Sequence, residues 1–120
     1  MTEPYSQGKT TVSPDVLITI TRLSALSVPG VSRMAQVPGG VNRLFKRGIG
    51  DGVRIEVEDN IFVANLYLIL KRHVNIREVS RNVQNQVARA LQEMVGMDVG
   101  MIEIHIEDID ADEEPEARAA

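Results

Sequence analysis

A chain of 120 residues, 43% of them hydrophobic, can build one packed core but not two. It has no cysteine, which excludes disulfides, thiolate metal sites and cysteine nucleophiles. Its net charge of −4 is uneven: residues 1–102 hold 12 Lys/Arg against 9 Asp/Glu, whereas residues 103–120 hold 8 acids against Arg118 alone. Such a tail buries little apolar surface. The chain therefore divides into a short N-terminal stretch over 1–8, one domain over 9–109 and an acidic tail over 110–120, expected to be disordered.

The opening, MTEPYSQGKT, lacks the basic and then apolar pattern of a signal peptide. The longest apolar stretch, Ile61 to Leu70, is interrupted by Asn65 and is about half of what a membrane span needs. These features predict a cytoplasmic protein with no transmembrane segment.

In chain order, Lys9 to Val12 reads as a short strand. Ser13 is a helix N-cap followed by Pro14 and Asp15, and the helix offers Val16, Leu17, Ile20, Leu23 and Ser24 as its buried face. Pro29-Gly30 ends it, and Val31 to Val37 is a weak strand. A glycine-rich connector from Pro38 to Gly52 carries Arg43, Lys46 and Arg47. A hairpin follows. Val53, Ile55 and Val57 alternate with charged residues, Asp59-Asn60 turns the chain, and Ile61 to Leu70 returns. Asn75, with Glu78 three residues on, opens a second helix that Gly96 closes. Its apolar stripe is Ile76, Val79, Val83, Val87, Ala90, Leu91 and Met94. A last strand sets Ile102, Ile104 and Ile106 against Glu103, His105 and Glu107.

These elements predict an α+β domain: a small, mainly antiparallel sheet of three or more strands with two helices packed on one face.

The hairpin register makes a sharper prediction. With Asp59-Asn60 as the turn, Glu58 lies opposite Ile61 and Val57 opposite Phe62. Val53, Ile55, Val57, Phe62, Ala64 and Leu66 then share the core face. The other face carries Ile61, Val63, Asn65, Tyr67 and Ile69, four of them large and apolar. Either another part of the chain covers them, or Ile61, Val63, Tyr67 and Ile69 form a surface for a protein partner or a second copy.

The runs GVRIEVEDNIFVANLYLIL, NIREVSRNVQNQVARALQEMVGMDV and IEIHI, with VPGV over Val28 to Val31 upstream, resemble the bacterial alkaline shock protein family. The resemblance covers about residues 9–110. Two departures stand out: Arg72-His73 stands where the family usually has a glycine before the second helix, and the aspartate common near Asn65 is missing. The resemblance implies a non-enzymatic scaffold or adaptor of the envelope-stress response. It further implies a cytoplasmic protein, peripheral to the membrane through an anchored protein partner, with no cofactor; the expectation of a homo-oligomer rests on the outer stripe instead.

The residues support no competing chemistry as well. Asp108, Asp110 and Asp112 open like a calcium loop, yet Glu113 and Ala119 stand where a glycine and a glutamate are needed. His73 and His105 have no ligand at metal spacing, so no metal is expected. Gly48-Ile49-Gly50-Asp51-Gly52 opens into a strand, whereas phosphate-binding loops open into a helix. No serine sits in a nucleophile motif. RNA binding is the alternative from another class: Arg43, Lys46 and Arg47 form a candidate basic patch, supported by Arg77, Arg81 and Arg89. Without a GXXG loop or a pair of strand aromatics placed to stack bases, nucleic acid is the weaker reading.

Overall fold

The structure is a computed structural model that describes residues 10–37 and 49–110. Helix α1 spans Pro14–Leu26, strand β1 Val31–Met34, β2 Ile49–Gly50, β3 Val53–Glu58, β4 Ile61–Leu70, helix α2 Ile76–Met94 and β5 Asp98–Ile109. The fold is α+β, with both helices packed against one sheet.

Strand β4 is the spine of that sheet. On one side β5 runs parallel to it from Ile61↔Asp98 to Leu70↔Ile109. On the other, β3 pairs antiparallel with Ile61 through Leu66, and β1 pairs antiparallel with Leu68 through Leu70. Strand β2 extends the sheet beyond β3. Helix α2 is the crossover that allows β4 and β5 to run parallel, since a parallel pair cannot be joined by a tight turn. The β3–β4 register matches the sequence prediction: Glu58 faces Ile61 and Val57 faces Phe62. Asp59 and Asn60 both adopt positive φ, at 53° and 64°, as a two-residue turn matched to sheet twist requires.

Helix α2 begins as its sequence predicts, with Asn75 Oδ1 accepting from the Glu78 backbone N–H at 3.0 Å. It ends at Gly96, whose φ of 76° lets its N–H return to the Leu91 and Gln92 carbonyls. Just before α2, His73 holds a φ of 62°, the left-handed conformation that a glycine would adopt without strain. Val79, Val83, Val87 and Leu91 form the buried stripe, while Ile76 and Met94 at its two ends are exposed. The core has run out beneath those terminal turns.

Helix α1 corrects the sequence reading. It buries Leu17, Ile18, Thr21 and Ala25, and leaves Val16 and Leu23 exposed. The helix is apolar on both sides, so its own periodicity did not decide which side faces the sheet. Ser13 precedes it in extended conformation without a side-chain cap bond. The predicted strand over Lys9 to Val12 is not formed at Thr10–Val12; Lys9 lies outside the described residues. Val57 is also corrected: it points to the core side but is 44% exposed, because β3 outruns the helices there. It borders a cavity of about 510 Å³ with Val12, Leu17, Ile55, Val95 and Met97.

Candidate functional site

The site is built on β4, because its two faces alternate and its neighbours fix what flanks each. Inward, Phe62, Ala64, Leu66, Leu68 and Leu70 are completely buried. Outward, the register sets Ile61 between Glu58 and Asp98, and Asn65 between Arg54 and Glu103. Val63 lies beside Glu56, Tyr67 beside His105, and Ile69 between Arg33 and Asp108. An apolar track thus runs between two charged borders, the layout of an apolar interface centre with a polar rim.

Exposure along the track is graded. Ile61 is 41% exposed, Val63 and Ile69 are half-buried, and Tyr67 retains 7%. The two alternatives left by the sequence therefore apply to different residues, with Tyr67 closed off within the chain and Ile61 open. Tyr67 and Val37 are the two described buried hydrophobics outside the core of the inner face.

Tyr67 is held at a junction. Its N–H donates to the Gly52 carbonyl and its carbonyl accepts from the Ala35 N–H, each at 2.8 Å, where β4 changes partner from β3 to β1. Gly52 is required there. Its φ is 73°, and a Cβ would lie 2.6 Å from the Ala35 carbonyl oxygen. The Tyr67 ring stacks on the His105 imidazole at a centroid distance of 4.6 Å and an interplanar angle of 12°. His105 Nε2 donates to Asn65 Oδ1 at 2.8 Å, and the same nitrogen lies 3.9 Å from Glu103 Oε1. His105, for which the sequence offered no ligand at metal spacing, therefore braces the middle of the outer face. Its signal was its alternation with Glu103 and Glu107, which fixed its face; only the parallel pairing of β5 placed it against Tyr67.

The lower end of the track stays open for a physical reason. Gly100 lies beside it, and a Cβ there would meet Ile61 Cγ2 at 3.1 Å and Val63 Cγ2 at 3.4 Å. With no side chain at that position, Ile61 stays exposed and Val63 only half-buried among the described residues. Met101, which follows, is 59% exposed.

Other candidates disperse. Arg43, Lys46 and Arg47 lie outside the described residues. Arg77, Arg81 and Arg89 are exposed on α2, with Arg89 Nε 3.6 Å from Glu93 Oε2. Of the three aspartates resembling a calcium loop, Asp112 lies outside the described residues. Asp110 accepts from Ser32 Oγ, and from Arg33 Nη1 at 2.9 Å, while its N–H donates to the Leu70 carbonyl at 2.7 Å. It joins β5 to β1 across the end of β4. The Ser32 hydroxyl above all, then the Arg33 guanidinium, holds its carboxyl below the ordinary value of 3.8. Among the described residues, no three His, Cys, Asp or Glu side chains converge as metal ligands, and no helix is long and apolar enough to cross a membrane.

The fold resembles that of the MamM CTD. Its copper form superposes with a TM-score of 0.56 at 12% identity, over 78% of this chain and 84% of that one. YqhY of Bacillus subtilis (strain 168) is 30% identical over 107 residues, covering 88% of this chain and 79% of that protein. Spy1535 of Streptococcus pyogenes serotype M6 is 31% identical over 116 residues, covering 96% and 88%. Both relatives bear the description "uncharacterized protein". A family model matches residues 2–111, and with it the chain belongs to the alkaline shock protein family, whose described role is a cell envelope-related function.

Proposed function

We propose that the chain is a non-catalytic adaptor at the cell envelope. It works in the cytoplasm, is held at the membrane by an anchored protein partner, and engages that partner or further copies of itself through the open end of the outer sheet face. The observation that carries the reading is the exposed Ile61 with half-buried Val63 beside Gly100, rimmed by Glu56, Glu58 and Asp98. Burying two such apolar side chains contributes at most about 3–6 kcal/mol gross. Association itself costs about 4–15 kcal/mol. A single weak contact is therefore marginal, and repeated contacts or a permanent partner surface suit the patch better. Tyr67, closed within the chain, supports the surface, whereas Ile61 and Val63 meet the partner and Ile69 borders it.

Sedimentation with membranes tests this. The wild-type chain is expected to sediment with native membranes, but not with protease-stripped membranes or protein-free vesicles of the same lipids. Ile61→Glu should abolish sedimentation and reduce any assembled mass in light scattering, with the melting temperature unchanged. Binding to the bare vesicles would overturn the reading. Retention on RNA that weakens as salt rises would favour the nucleic-acid alternative through Arg43, Lys46 and Arg47.

A further inference from the structure

Strand β5 stands at the edge of the sheet. Its pairing runs along β4, and no other strand pairs with it among the described residues. At 12 residues it is the longest described strand. In a parallel ladder alternate residues turn their backbone N–H and C=O groups away from the neighbour, so such an edge presents a row of unpaired groups. Register shifts break the ladder between Phe62 and Ala64 and between Leu68 and Ile69. Between them, Ile102 through Ile106 run regularly opposite Ala64 through Leu68. That window is long enough for a short added strand.

Two further observations say what would fit. First, Gln84 of α2 donates from Nε2 to the Ile102 carbonyl at 3.0 Å, so this side-chain amide holds the first acceptor of the window and an added strand would displace it there. Beside it, a shallow cleft of about 280 Å³ lies between α2 and β5, lined by the neutral side chains of Gln84, Asn85, Ala88 and Gln92. Second, β5 carries four acids, Asp98, Glu103, Glu107 and Asp108, and no Lys or Arg. The register places Glu103 on the outer face beside Asn65, and away from the cleft. An added strand would therefore meet negative charge on one face and neutral amides on the other. A second copy fits poorly: antiparallel pairing centred on His105 would set Glu103 opposite Glu107, and like charges directly opposite are destabilising.

We propose that the free edge of β5 over Ile102–Ile106 is a strand-addition site for an extended cationic segment of a partner protein, with Lys or Arg at alternate positions and small or apolar residues between them. Backbone bonds to the edge supply the affinity and the acid row supplies the choice of partner. This site goes beyond the outer-face reading, because it uses the backbone of Ile102–Ile106 and Glu103, which pair with Ala64–Leu68 and not with Ile61 or Val63, and either can fail alone.

The test is an amide-resolved NMR titration of the full chain with an eight-residue peptide of alternating lysine and valine. Shifts are expected at Ile102–Ile106 and at the Gln84 side-chain amide. Methylating alternate peptide nitrogens on the strand-facing edge should weaken binding by at least about tenfold, since it removes the donors. Glu103→Lys, an exposed and tolerable change, should weaken the lysine peptide and strengthen one with glutamate in the lysine positions. Equal binding of the methylated peptide, or shifts at Ile61 and Val63 instead, would overturn the proposal. A concentration-dependent dimer with β5 amides protected from exchange would assign the edge to a second copy and likewise overturn it.

Discussion

The two faces of β4 share one backbone and one apolar composition, yet they do different work. Inward, every side chain from Phe62 to Leu70 is sealed by the helices. Outward, the same strand passes from an exposed Ile61 through half-buried Val63 and Asn65 to a closed Tyr67. Apolar content alone therefore does not distinguish core from surface. What distinguishes them is the supply of covering groups: two helices on one side, and on the other the His105 ring, with nothing projecting from Gly100.

Substitutions can test that contrast. The largest effect belongs to Ala64→Glu, which forces a carboxylate into a completely buried position among Phe62, Leu66 and Ile102. An unpaired charge there costs several kcal/mol, so the cooperative melting transition and the dispersed amide spectrum should both disappear. On the outer face, Tyr67→Ala should cost about 2–4 kcal/mol in urea unfolding, comparable to a core truncation, because the ring is buried and stacked. A cost below about 1 kcal/mol would show that the outer face contributes no packing of its own.

A smaller effect, of opposite sign, lies at α1. Thr21 is fully buried and its Oγ1 has no hydrogen-bond partner. Thr21→Val removes that unsatisfied hydroxyl and should stabilise the fold by about 1 kcal/mol, seen as a higher urea midpoint with the slope unchanged. A lower midpoint would mean that the hydroxyl is satisfied and that the inner face is less uniformly apolar than described.

The smallest effect is at the end of the sheet, where Asp110 ties β5 to β1. Its carboxyl is depressed in the folded chain, chiefly by the Ser32 hydroxyl, so its contribution is present above the ordinary value of 3.8. That contribution is lost as pH falls through the lower, folded value. Wild type should therefore exceed Asp110→Asn in stability at neutral pH, and the two should converge in acid. A gap that persisted at the lowest pH would place the effect outside titration. Because Asp110 is bonded in this way, the first residue of the acidic stretch acts as a clasp on the sheet.

Much of this was legible in the chain. The turn at Asp59-Asn60 set the hairpin register because a two-residue loop leaves one pairing, and a slip of one residue would invert both faces. The α2 stripe was legible because its opposite side is polar. Helix α1 was not, because Val16, Ile20 and Leu23 on one side compete with Leu17, Ile18 and Ala25 on the other. Nor did any local signal show that Tyr67 would be buried and Ile61 left open.

By itself, then, the sequence determined the two helices, strands β3, β4 and β5, the α+β class, the hairpin register and the two faces of β4, since all of these follow from local dihedral preference and from periods of two or 3.6 residues. Only the tertiary structure decided which apolar side of α1 turns inward, that β5 lies parallel to β4 with His105 against Tyr67, and that Asp110 clasps Ser32 and Arg33. Those outcomes depend on groups up to 78 residues apart, brought together by packing that no local pattern encodes.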